Sequence, residues 1–345
     1  PDEVSDDKSV VLINANIHSG EVEGKEAMMI LTREIAMGEH DGLLDDLVLV
    51  MLPNMSPDGN DYLTRQPSSP NQYTPNYYGA RSNRSPTFGY NINRDMMKLE
   101  TAEGRALVDL INKWNPDAFG DLHATNGTRH RIPLELLWSL HPDVDPDLAA
   151  YNRTGFVEAA FGAGSRFAES GKIWRPYGDF QRATVRDTGY TEEGTWVVGA
   201  DEKPRYTSHY MGFRDRISLV FEVYSHDPYT VRVDTQYVAV MSFLEGIQSE
   251  KATIKALIAQ AEARALGRND EIENYFNTEV VTLTAKHDDK HHYGTKAPYT
   301  VTVPSDLSRL GVRVCFSGSP PAAIVPGAPE AAAFIGDVRT AEGER

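Results

Sequence analysis

Residues 14–21 of this 345-residue chain read Asn14-Ala15-Asn16-Ile17-His18-Ser19-Gly20-Glu21. An imidazole and a carboxylate with two residues between them can reach the same cation. His18 and Glu21 alone would be an incomplete site, because a catalytic zinc takes three protein ligands and keeps one position open. A histidine at the edge of another strand would complete the set. Asp117-Ala118-Phe119-Gly120-Asp121-Leu122-His123 supplies one. A zinc held by His18, Glu21 and His123 would make water more acidic and polarise a carbonyl.

The surrounding pattern says how these groups are positioned. Val10-Val11-Leu12-Ile13 is short, apolar and rich in β-branched residues, which predicts a buried strand over 10–17. A helix is predicted over 22–37 and a second buried strand over 47–52, ending in the turn-rich run Pro53-Asn54-Met55-Ser56-Pro57-Asp58-Gly59. Helix 99–114, strand 117–123, helix 146–169, strand 217–224 and a long helix over 231–265 follow. Alternation of strand and helix predicts an α/β fold, with a mixed, mostly parallel twisted sheet and helices on both faces. His18, Glu21 and His123 then lie at the C-terminal ends of strands, where open α/β sheets place their ligands.

Composition narrows the classes. The net charge is −16, which disfavours nucleic acid as a partner. No apolar run approaches a membrane span. Cys315 is the only cysteine, so an internal disulfide and a cysteine-based metal cluster are both excluded. The chain opens Pro1-Asp2-Glu3 and reads as processed or truncated.

The order of these signals resembles the zinc metallocarboxypeptidases of the carboxypeptidase A/B type across residues 10–225. His18, Glu21 and His123 match that family's zinc ligands, and Ser56-Pro57-Asp58-Gly59 is similar to its Asn-Pro-Asp-Gly turn, with Asn54 displaced. The resemblance implies that Asn93 and Arg94 grip the terminal carboxylate of a substrate and that Glu222 is the catalytic glutamate. Glu222 would take a proton from water and pass it to the leaving amine. Its place after Leu219-Val220-Phe221, in a buried strand, also makes an idle carboxylate costly. An arginine should steady the oxyanion. Arg81-Ser82-Asn83-Arg84 resembles the relevant segment of relatives, which favours Arg84, with Arg81 as the alternative if the segment is shifted.

The expected organisation is a catalytic domain over 1–268, a small β-rich segment over 269–317 and an Ala/Pro/Gly-rich tail over 318–345. The expected activity is zinc-dependent removal of C-terminal amino acids from peptides, with one Zn2+ per chain and a peptide bearing a free C-terminal carboxylate as partner. Alternatives are a zinc deacylase of the aspartoacylase or succinylglutamate desuccinylase type, and a non-catalytic peptide-binding protein. Family resemblance alone suggests a periplasmic or secreted location. Tyr206 and Tyr210 are candidates for a tyrosine over the substrate. Asp187, Glu192, Glu193 and Asp201 are candidates for an acidic pocket floor. His130 reads as a solvated or core-edge histidine rather than a fourth ligand, and His287, His291 and His292 as a solvated patch.

Overall fold

A computed structural model describes residues 7–40, 42–61, 91–125, 130, 132–180 and 202–276, with short strands at 196–198, 281–284, 299–301 and 323–324. The chain divides into two compact units, Pro1–Ala259 and Gln260–Arg345.

The first unit is built on a six-stranded sheet. In chain order its strands are β1 (Ser9–Ala15), β2 (Leu47–Leu52), β3 (Ala118–Ala124), β4 (Leu134–Trp138), β5 (Trp174–Pro176) and, after the small hairpin of β6 (Gly178–Phe180) and β7 (Trp196–Val198), β8 (Ile217–Val223). Across the sheet they lie in the order β2-β1-β3-β8-β4-β5. Neighbours from β2 to β8 are parallel, β4 runs antiparallel to β8, and β5 is parallel to β4. The expected mixed, mostly parallel sheet is therefore present.

Period-two alternation gives the sheet two different faces. One carries Val11, Ile13, Ala15, Leu122, Leu219, Phe221 and Val223 into the main core. There they meet Met28 and Leu31 of α1 (Glu23–Ala36), and Phe243, Leu244 and Ile247 of α9 (Tyr229–Phe276). Phe221 and Phe243 pack edge to face with ring centroids 5.3 Å apart. The other face is apolar only in part. Leu12 and Phe119 cover a second cluster with Leu107, Val108 and Ile111 of α4 (Ala102–Trp114). Further along, the same face turns polar, with Asn14, Asp121, His123, Ser218 and Glu222 at its alternate positions.

Close approach fixes two local features. A Cβ on Gly24 would come within 2.5 Å of Leu122 Cβ, so the start of α1 lies directly against β3. One on Gly59 would meet the side chains of Ser19 and Ser56 at 2.7–2.8 Å, so the turn after β2 packs under the His18 loop. α1 also meets α9 through a fully buried ion pair between Glu23 and Arg232.

Helices differ from expectation in detail. The predicted helix over 146–169 is three pieces, α5 (Pro146–Tyr151), α6 (Val157–Phe161) and α7 (Arg166–Glu169), with a π-helical turn between the first two. Gly162 turns extended after α6, and Gly164 takes φ +85°, so the chain breaks there. α4 starts later than expected because Leu99 has φ +55° and Thr101 caps the helix by accepting from Gly104 N. β4 is an element the sequence reading omits. In the second unit, β9 (Val281–Thr284) pairs antiparallel with β10 (Tyr299–Val301) and β11 (Ala323–Ile324). Among the described residues, no helix is long and apolar enough to cross a membrane.

Candidate metal centre and cleft

β1 ends at Ala15, and Asn16 then takes φ 59°, a left-handed value that asparagine tolerates. Its side-chain amide donates to Asn54 Oδ1 at 2.6 Å, tying this bend to the turn after β2. The bend delivers His18, and a tight turn in which Glu21 N donates to His18 O at 2.9 Å delivers Glu21 beside it. β3 delivers His123 from the neighbouring strand.

These residues converge as expected. Nδ1 of His18 lies 3.0 Å from Glu21 Oε1, and Nδ1 of His123 lies 2.7 Å from Glu21 Oε2. One potential ligand atom from each residue falls within 4.8 Å of the others, and all three residues are buried. Two nitrogens and one carboxylate oxygen at this spacing fit a zinc ion. The far nitrogens are held as well: His18 Nε2 faces Asn91 Oδ1 at 3.2 Å, and His123 Nε2 faces Asp121 Oδ2 at 3.0 Å. Such outer partners fix the tautomer that leaves the inner nitrogen available.

Charge follows from this packing. Burial alone would raise the Glu21 pKa, but the His18 charge and hydrogen bonds from both histidines hold it well below the usual carboxylate range. Burial alone would lower the His123 pKa, yet the Asp121 charge and its contacts with Asp121 and Glu21 raise it well above the ordinary value.

The cleft over this centre is lined by His18, Glu21, His123, Glu222, Asn93 and Arg94 together. Val220 and Leu137 form apolar wall, while Tyr177, Tyr206, Ser208 and His209 add polar wall. Arg94 Cζ sits 4.0 Å from the centre of the Tyr206 ring, a cation–π stack. Thr207 N donates to Asn93 Oδ1 at 3.4 Å, which turns the other end of that amide away from Thr207. Asp95 is occupied at the start of α4, accepting from Glu100 N, Thr101 N and Thr101 Oγ1.

Other expectations sort differently. Tyr206 reaches the cleft, whereas Tyr210 is not among its lining residues. Tyr177 lines it too, from the end of β5. His130 is buried rather than solvated, because its Nε2 lies 3.0 Å from Glu135 on β4. Arg84, Arg81, Asp187, Glu192, Glu193, Asp201, His287, His291 and His292 lie outside the described residues.

The sequence model of the zinc carboxypeptidase family matches residues 2–129. That stretch carries the zinc carboxypeptidase pattern. It contains His18, Glu21, Asn93, Arg94 and His123 and ends well before Glu222. Among solved structures, a metallo-carboxypeptidase from Burkholderia cenocepacia is similar at 19% identity and TM-score 0.50, over 72% of this chain and 58% of that one. A metallo-carboxypeptidase from Pseudomonas aeruginosa is similar at 16% identity and TM-score 0.49, over 73% and 60%. At 19% identity the likeness to the Burkholderia structure is one of fold. The chain spans less than two thirds of the length of either structure. No curated protein matches the sequence.

Proposed function

We propose that this protein is a zinc-dependent hydrolase that removes C-terminal amino acids from peptides, one zinc per chain. What supports the reading is a single cleft that brings Asn93 and Arg94 to the same space as His18, Glu21, His123 and Glu222. Either half alone would be ambiguous. A metal triad with a carboxylate base suits many hydrolyses, and an arginine beside a cleft suits many anions.

In this reading His18, Glu21 and His123 hold the zinc, which supplies Lewis acidity for water and carbonyl. Glu222 accepts the proton of the attacking water and delivers it to the nitrogen of the departing residue. Arg94 offers paired donors in a plane to the terminal carboxylate, and Asn93 adds one donor. Tyr206 holds the guanidinium by stacking on it. Leu137 and Val220 give the side chain of the departing residue an apolar surface.

The test is a panel of free-acid peptides, their C-terminal amides and acylated amino acids, with products identified by mass. Release of free amino acids from the free-acid peptides alone is the expected result. Equal cleavage of amides, or release of acyl groups only, overturns it.

A further inference from the structure

Thr207 is the first residue of α8 (Thr207–Phe213), a helix between the predicted helix 146–169 and the predicted strand 217–224. It lines the cleft and is only 2% exposed. Its hydroxyl donates to Asp121 Oδ2, the same oxygen that faces His123 Nε2 at 3.0 Å. Asp121 Oδ1 accepts from Asn14 Nδ2 at 2.8 Å. The carboxylate is fully buried, so these contacts are what make its charge tolerable there.

The geometry around Asp121 has a directional consequence. With Asn14 on one oxygen and Thr207 on the other, the carboxylate plane is fixed. An Asp121 so fixed accepts the Nε2–H of His123, so Nδ1, 2.7 Å from Glu21 Oε2, is the nitrogen that would give its lone pair to a cation shared with Glu21 once the cation displaces the proton there. Removing the Thr207 hydroxyl frees Oδ2 to turn away, and the imidazole can then settle in the other tautomer or ring pose.

We propose that Thr207 is a positioning residue for the metal centre, acting through Asp121 on the tautomer and orientation of His123. It rests on the reading of His18, Glu21 and His123 as zinc ligands and does not need the peptide substrate to be right.

Zinc dissociation constants, measured on purified protein by competition with a chromophoric chelator, test it. Thr207→Val keeps the shape and the backbone N–H and loses only the hydroxyl. It should weaken zinc binding by about 10- to 100-fold, the range seen when outer partners of metal ligands are removed. Thr207→Ser, which restores a hydroxyl, should stay near wild type. Asp121→Asn should weaken binding too, and the double variant with Thr207→Val should be no weaker than Asp121→Asn alone. Wild-type affinity in Thr207→Val overturns the proposal, as do losses that multiply in the double variant. If Thr207→Val does not fold, Thr207→Ala against Thr207→Ser carries the same comparison, and equal affinities overturn it. A wild-type protein that binds no zinc overturns the metal reading and this proposal together. Tight zinc binding without peptide cleavage overturns only the substrate reading.

Discussion

His123 and Glu222 are register partners on the parallel strands β3 and β8. Residues paired this way share a face of the sheet. The pairing continues outward: Glu222 opposes Glu135 on β4, and Glu135 opposes Arg175 on β5. One row across four strands thus carries a candidate ligand, a candidate base and a second carboxylate with its own cation. Arg175 Nε and Nη2 both lie 3.0 Å from Glu135 Oε1, and His130 Nε2 lies at 3.0 Å from the same oxygen. The negative charge next to Glu222 is therefore balanced by Arg175 from the side of β8 away from His123.

Glu222→Gln should retain zinc and fold but lose turnover. An amide has nearly the same shape and cannot act as a base. General acid–base groups contribute about 10²–10⁴ in rate, so kcat should fall within that range. Retention of most of the wild-type kcat would assign the base elsewhere.

Arg94→Ala should raise KM steeply for peptides with a free C-terminus. Hydrogen bonds to charged groups are worth about 1.5–3 kcal/mol, which corresponds to roughly ten- to a hundredfold. Amidated peptides should be poor substrates already and change little. Steady-state kinetics on matched acid and amide pairs reads the difference.

Zinc should stabilise the protein more as pH rises. In the metal-free state the raised His123 pKa contributes stability that is present below the ordinary histidine value of about 6.5 and is lost as pH climbs through the raised one. The same proton competes with zinc for Nδ1. The gap in Tm between zinc-loaded and chelator-treated protein should therefore widen from about pH 6 to about pH 9. A gap that narrows with pH would contradict the geometry.

Arg232→Leu should destabilise the first unit without touching the cleft. It leaves the Glu23 carboxylate fully buried without its guanidinium partner. Breaking such a pair costs about 3–5 kcal/mol, and urea unfolding monitored by circular dichroism would report it. A change near zero would mean that water reaches Glu23.

Much of the site was legible because its residues sit at strand ends with simple patterns before them. Val10-Val11-Leu12-Ile13 announces β1, and Leu219-Val220-Phe221 announces β8, so His18 and Glu222 could be placed at the sheet edge. β4 was not legible. Leu134-Glu135-Leu136-Leu137-Trp138 has no turn signal typical of a hairpin, and its antiparallel pairing with β8 joins residues far apart in sequence. The glycines Gly162 and Gly164 were the signal that 146–169 is not one helix. Thr207 was invisible for a related reason. Its partner Asp121 lies 86 residues away, and a threonine between Tyr206 and Tyr210 carries no local periodicity that would point to it.

Arg94 lies with its guanidinium against Tyr206, and its Nη1 donates to the Asn93 carbonyl. With the ring over one flat side, an anion that pairs with this cation through its N–H donors meets it in its own plane. A planar carboxylate suits that approach, because its two oxygens can lie along two parallel N–H bonds. A tetrahedral chain end, such as a phosphonate or sulfonate in place of the terminal carboxylate, can lay two oxygens along the same fork but must put the third out of that plane, toward the ring or away from it. Discrimination among anionic chain ends at this cleft would then turn on the room above and below the guanidinium plane, on one side of which the Tyr206 ring already sits.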